Sequence, residues 1–225
     1  MTSDDQIKRI LAASSSVLLD FDGPVCSIFA GVTDFVVASK LREVLDQVGV
    51  TIDAPTRHTN DPLAVLQSVA KLGDQQLLDK VEAALILAEV EATKSATPTP
   101  FAAQVIETAV GRGRSVSIVS NNSAEAVSAY LQQQRLEPYV AVVVGRTLRR
   151  PDLMKPNPFP IKEAMRRLGS EPENAMLVGD SPADLGAARA AGIPCVGYCD
   201  NEQRVELLRD ADALIQTMAE LLPYL

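Results

Sequence analysis

A chain of 225 residues with 47% hydrophobic side chains can bury a substantial core, as one large domain or as a core with a smaller companion, and this composition excludes disorder. With 29 acidic against 21 basic residues the net charge is −8, a field that repels polyanions and excludes nucleic acid as a habitual partner. A phosphorylated small molecule stays compatible with that field, because a bound divalent metal and a few well-placed lysines act at contact distance while salt screens the distant charges.

The amino-terminal MTSDDQIKRILAASSS is acidic early and has no sustained apolar stretch before a small-residue cleavage site, so it does not read as a secretory signal. No apolar run approaches the roughly 20 residues of a membrane-spanning helix. Cys26, Cys195 and Cys199 lack the spacing of a disulfide framework or a zinc site and read as reduced, buried thiols. A cytoplasmic protein is the expectation.

Short apolar runs at 17–21, 115–120, 140–144, 175–178 and 194–198 read as buried parallel strands. Helical patterns alternate with most of them. Ile161, Ala164, Met165 and Leu168 fall on one helical face, with Pro158 near the start and Gly169 just past the end. Strand and helix in alternation predict an α/β doubly wound, Rossmann-like parallel sheet with helices on both faces.

The interval 27–97 breaks that alternation, since it holds helical periodicity and no convincing strand. One helix presents Val37, Leu41, Val44, Leu45 and Val48 on a face; a second begins at Asp61-Pro62; a third carries Leu78, Val81, Leu85 and Ala88. This is an inserted all-helical cap, leaving 1–26 and 98–225 as the core. Residues 49–60 between the first two helices read as one long loop. The stretch 95–100, Ser-Ala-Thr-Pro-Thr-Pro, reads as a stiff extended return and a hinge.

The run Val17-Leu18-Leu19-Asp20-Phe21-Asp22-Gly23 ends in two carboxylates that strand alternation points the same way, and Gly23 permits a sharp turn. Such a pair can divide labour as nucleophile and general acid/base, or can be an acidic turn after a strand. Ser120 and Asn121 close a second strand, as ligands or as a turn, and Asp180 follows a third. In open α/β sheets the strand carboxyl ends share one crevice. Ser181, Pro182 and Asp184 make a capping box, which accounts for Asp184 without a metal but leaves Asp180 unexplained. An oxygen-only cluster without histidine or cysteine suits Mg2+. Lys155 precedes a helix start that favours an anion, and is otherwise a solvated lysine.

Asp20-Phe21-Asp22-Gly23, Ser120-Asn121, Lys155-Pro156 and Gly179-Asp180-Ser181-Pro182-Ala183-Asp184, in that order, resemble the four motifs of the haloacid dehalogenase-like hydrolase superfamily. The helical insertion after the first motif is similar to the cap of its phosphoglycolate phosphatase-like branch. The resemblance implies a magnesium-dependent phosphatase acting on a small phosphorylated metabolite. Asp20 would be the nucleophile and Asp22 the acid/base, with Ser120, Asn121 and Lys155 on the phosphoryl group. The metal would sit on Asp20, the Asp22 backbone carbonyl and Asp180, with Asp184 directly or one layer out. Pro24 stands where the family commonly has threonine. Asp22 argues against the dehalogenase branch, whose leaving halide needs no proton. A phosphomutase and a non-catalytic phosphate-binding module are the alternatives. In the loop 49–60, Arg57 and His58 are candidates for choosing the substrate. Oligomeric state is open.

Overall fold

The computed structural model describes residues 3–225. A helix α1 (Ser3–Ala13) leads into strand β1 (Ser16–Leu19), the centre of a six-stranded sheet completed by β4 (Ser115–Val119), β5 (Val142–Val144), β6 (Ala175–Gly179), β7 (Cys195–Tyr198) and β8 (Ala213–Ile215). The order is β5-β4-β1-β6-β7-β8, and every pairing is parallel. Chain order runs outward from β1 through β4 to β5, then restarts at β6 on the other side of β1. The sheet therefore reverses beside β1, where an open α/β sheet forms its crevice.

Alternation along β1 sorts the core into two layers. Val17 and Leu19 face a cluster with Ile7, Leu11, Ile106 and Tyr130, while Leu18 faces Ile161, Leu177 and Ala187 on the opposite side. The first layer is covered by α1, α6 (Ala102–Gly111) and α7 (Ala124–Gln133). The second lies under α8 (Phe159–Leu168) and α9 (Pro182–Ala191). A short α10 (Glu202–Leu207) follows β7.

The insertion is helical: α2 (Asp34–Gln47), α3 (Ala54–His58), α4 (Pro62–Lys71) and α5 (Gln75–Thr93). Val37, Leu41, Leu45, Val65, Val69, Val81 and Leu85 form an apolar cluster of its own. The chain leaves and rejoins the core through two short strands, β2 (Cys26–Ser27) and β3 (Thr97–Pro98), paired antiparallel as Cys26↔Pro98 and Ser27↔Thr97. The stretch read as a stiff return thus gains a ladder partner.

Three features depart from the sequence expectation. The segment 49–60 is not one loop, because Asp53 accepts a hydrogen bond from Thr56 N at 2.9 Å and starts α3. Strand β8 has only three residues, too short for periodicity to reveal. The amino-terminal segment, for which the sequence predicts no element, forms helix α1 and buries Ile7, Ile10 and Leu11. Among the described residues no helix is long and apolar enough to cross a membrane.

Candidate active site

The amide of Asp20 donates to Val178 O and that of Ser120 to Val144 O, both at 2.9 Å, so the sheet ladder still fixes the backbone at these two strand ends. Asp20 Oδ1 accepts the next amide, Phe21 N, at 2.6 Å. Asp22 Oδ1 accepts Ile28 N at 3.0 Å, tying that carboxylate to the start of the insertion. Gly23 takes φ 111°, and a Cβ there would lie 2.1 Å from Asp180 Oδ2. Glycine is required by the turn and by the approach of the third strand's carboxylate.

Lys155 is buried, and its Nζ lies 2.7 Å from Asp20 Oδ1, 2.5 Å from Asp184 Oδ1 and 3.0 Å from Val119 O. All three ammonium protons have partners. Asp184 also carries out the capping expected of it: its Oδ2 accepts Ser181 N at 3.1 Å and Ser181 Oγ at 2.6 Å, at the start of α9. One oxygen caps the helix while the other holds the lysine. Gly179 makes room for this, since a Cβ there would sit 2.4 Å from Asp184 Cβ.

Both ends of the Asn121 side-chain amide engage the Lys155 backbone. Its Oδ1 accepts Lys155 N at 2.8 Å and its Nδ2 donates to Lys155 O at 3.1 Å, so the amide clamps the lysine's backbone. Ser120 Oγ donates to Asn122 Oδ1 at 3.2 Å and accepts Asn122 N at 3.0 Å. The residue that caps α7 is Ser123, not Ser120 or Asn121.

Carboxylate oxygens of Asp20, Asp180 and Asp184 lie within 4.8 Å of one another. Three hard oxygen donors with no sulfur or nitrogen fit Mg2+. Desolvation pushes Asp20 well above the usual carboxylate range, assisted by Asp184 and opposed by Lys155. Burial likewise raises Asp22, and takes Asp180 up to about 7 despite Arg204, whose Nη1 lies 2.8 Å from Asp180 Oδ2. On Lys155 burial works against the charge, but Asp184 and Asp20 outweigh it and hold the ammonium above the ordinary lysine range.

These groups open onto a cleft of about 240 Å³ lined by Asp20, Asp22, Ser120, Asn121, Lys155 and Asp180. Its far wall is supplied by the insertion, through Phe29, Asp34, Asp61 and Leu63. Asp61 caps α4 through Leu63 N, and partial burial with the neighbouring Asp61 pushes Asp34 upward. A larger cavity of about 680 Å³, between α4, α5 and the loop after β5, shares only Lys155 and Pro156 with the motif residues and none of the aspartates. The motif aspartates Asp20, Asp22 and Asp180 line the smaller cleft.

Arg57 and His58 are not brought to it. Arg57 Nη2 lies 3.6 Å from Asp46 Oδ1, both side chains are exposed, and neither Arg57 nor His58 lines the cleft. Arg204, Asp34 and Asp61 are charged residues around the site that the sequence did not mark as belonging to it.

Residues 17–198 match the haloacid dehalogenase-like hydrolase family. Phosphoglycolate phosphatases of Salmonella typhi and Escherichia coli K12 are 34% and 32% identical over 130 residues, which is 56% of this chain and 50% of theirs. The chain thus spans about half the length of the curated relatives it matches. Two solved structures share the fold. One is a haloacid dehalogenase superfamily hydrolase, subfamily IA, variant 1, from Geobacter sulfurreducens (TM-score 0.65, 21% identity, 95% of this chain and 100% of that one). The other is CbbY from Rhodobacter sphaeroides in complex with phosphate (TM-score 0.68, 20% identity, 92% and 99%). With the family match running from the first central strand to the end of β7, and a sheet reversal that gathers its aspartates and lysine in one crevice, the chain belongs to the haloacid dehalogenase-like hydrolases.

Proposed function

We propose that this protein is a magnesium-dependent phosphatase that hydrolyses a small phosphorylated metabolite through an aspartyl-phosphate on Asp20, with 27–97 as the cap and 1–26 plus 98–225 as the core. The observation that carries the reading is the contact of Lys155 with Asp20 in the cleft that also holds Asp22 and Asp180.

In this reading Asp20 attacks phosphorus in line while Lys155, held by the Asn121 clamp, offsets the charge gathering on the phosphoryl oxygens. Asp22 protonates the departing alcohol. Burial raises its carboxyl, which favours holding that proton; after the alcohol leaves, Asp22 takes a proton from water as the water attacks phosphorus, the bond from Asp20 to phosphorus breaks, and inorganic phosphate and the free Asp20 carboxylate are released. Ser120 Oγ goes on accepting Asn122 N and turns its proton from Asn122 Oδ1 to the phosphoryl group. Asp20, Asp180 and the Asp22 backbone carbonyl would hold Mg2+, with Asp184 engaged by Lys155 and its helix cap; the ion supplies further neutralisation of the phosphoryl charge.

The relatives' name makes phosphoglycolate one candidate substrate. The insertion, however, presents Asp34 and Asp61 to the cleft and no cation, which suits a neutral, hydroxyl-bearing leaving group better than a carboxylate. All three cysteines are free and buried, in keeping with a reducing, cytoplasmic setting.

The test is release of phosphate from an aryl phosphate with and without a chelator, together with acid quenching and peptide mapping for phosphate on Asp20. Turnover lost on chelation and on Asp20→Asn is the expected result. Phosphate bound without turnover would select the binding module, and transfer to a second hydroxyl in place of water the mutase.

A further inference from the structure

The inward stripe of α5 carries Leu78, Val81, Leu85 and Ala88, and in the same stripe two glutamates seven residues apart, Glu82 and Glu89. Their side chains are 4% and 0% exposed. Both meet Arg146, which follows β5 and is itself 1% exposed. Arg146 Nη1 lies 2.8 Å from Glu89 Oε1, Nη2 3.2 Å from Glu89 Oε2, and Nε 3.4 Å from Glu82 Oε1.

The same groups hold the turn that closes β4. Arg146 Nη1 donates to Asn121 O at 2.9 Å; Glu89 Oε2 accepts Ser123 N at 3.0 Å, and Glu89 Oε1 accepts Asn122 Nδ2 at 3.3 Å. The last bond decides which way the Asn122 amide faces. With its nitrogen on Glu89, its oxygen must point to Ser120 Oγ. Asn121, pinned at its carbonyl by Arg146, clamps both backbone groups of Lys155.

A buried ion pair stabilises a fold no better than a well-packed apolar pair of similar volume, so fastening α5 to the core does not by itself call for one. What the charges add is direction. We propose that Glu89 and Arg146 are positioning residues for phosphoryl recognition: a carboxylate on the insertion's last helix and a guanidinium on the core fix Ser120, Asn121 and, through Asn121, Lys155. This rests on the phosphatase reading, in which Ser120 and Lys155 meet the phosphoryl moiety and Asn121 holds the lysine.

The experiment uses the full chain with Mg2+, as parent, Glu89→Gln, Arg146→Lys and the double variant Glu89→Leu/Arg146→Met, which removes this charge pair together and leaves Glu82 accepting from Arg149 N. Calorimetry measures inorganic phosphate and Mg2+ binding; steady-state kinetics use p-nitrophenyl phosphate and an aliphatic phosphate monoester. Misplacing a binding group by ~1 Å costs on the order of a hundredfold, so phosphate affinity is expected to fall at least about tenfold in each variant. KM should rise by a matching factor with both esters, and Arg146→Lys, which keeps charge but loses the fork, should lie between parent and double variant. Mg2+ affinity is expected to stay within about twofold, since neither Glu89 nor Arg146 touches any of its carboxylates.

A double variant with a cooperative thermal transition that binds phosphate as tightly as the parent would overturn the positioning role and leave a tether. So would equal losses of phosphate and Mg2+ affinity, or a double variant that fails to fold. A parent that takes up no phosphate would overturn the phosphatase reading, and this proposal with it.

Discussion

Nζ of Lys155 and Oδ1 of Asp20 lie 2.7 Å apart, so the carboxylate proposed as the nucleophile is in contact with its counter-charge before substrate arrives. Burial and Asp184 push Asp20 upward, and this lysine is the cation that opposes them. Lys155→Met is expected to lower kcat/KM by more than about a thousandfold, and to cost about 3–5 kcal/mol of stability by leaving buried carboxylates uncompensated. Arginine should not rescue it, since a planar fork cannot replace a compact ammonium with three separate partners. Steady-state kinetics and urea unfolding are the measurements; activity within tenfold of the parent would remove Lys155 from the chemistry.

Asp184 serves a helix and a lysine with different oxygens, which two substitutions can separate. Asp184→Asn retains an oxygen for Ser181 and loses the charge facing Lys155; Asp184→Ala loses both. Turnover should fall in both, and the alanine variant should be less stable than the asparagine one by about 1 kcal/mol, the usual worth of a helix cap. Equal unfolding midpoints would show that the capping contacts contribute nothing measurable.

The elevated carboxyl of Asp180 makes the effect of Mg2+ depend on pH. Its pKa of about 7 in the folded protein exceeds the unfolded 3.8, so the folded form binds this proton more tightly. The associated stability is fully present below about pH 4 and is lost as pH rises through 7. Mg2+ needs the deprotonated carboxylate, so added metal should raise Tm more at pH 8 than at pH 6. Asp180→Asn should abolish most of that increment. An equal rise at both pH values would contradict the assignment of Asp180 as a ligand.

Asp34 and Asp61 give the insertion's side of the cleft a negative lining. A neutral polyol phosphate should therefore be hydrolysed with a higher kcat/KM than phosphoglycolate, by about tenfold. Asp34→Asn should narrow the gap. The comparison is to be made at low salt, where exposed charges act most strongly. Preference for phosphoglycolate over every neutral ester would refute it.

The core declared itself in the sequence because its signals are local. Asp20, Ser120 and Asp180 each end an apolar run, and a parallel sheet brings such ends together whatever the connections between them. The capping box at Ser181 and Asp184 is likewise contained within four residues. The Arg146 pairing is of another kind. Glu82 and Glu89 break the apolar stripe of α5 at helical spacing, a readable sign of buried charge, but their partner lies in a distant loop that no periodicity marks. Arg204 on Asp180 is equally non-local. For α3 the signal is local too, an Asp53 cap with proline in the first turn, but five residues are too few for a helical period to show.

The single ribbon of β2 and β3 means that the chain crosses into the insertion and back at adjoining positions. Closing such a loop depends weakly on its contents, each doubling of length adding only about 0.6 kcal/mol. A foreign helical segment of half or twice the size could accordingly be grafted between Ser27 and Thr97 while the sheet kept its register. Any such graft would inherit one obligation. Without a carboxylate in the place of Glu89, the guanidinium of Arg146 would stay behind in the core as a stranded charge, so recombination at this junction is filtered by a residue that lies outside it.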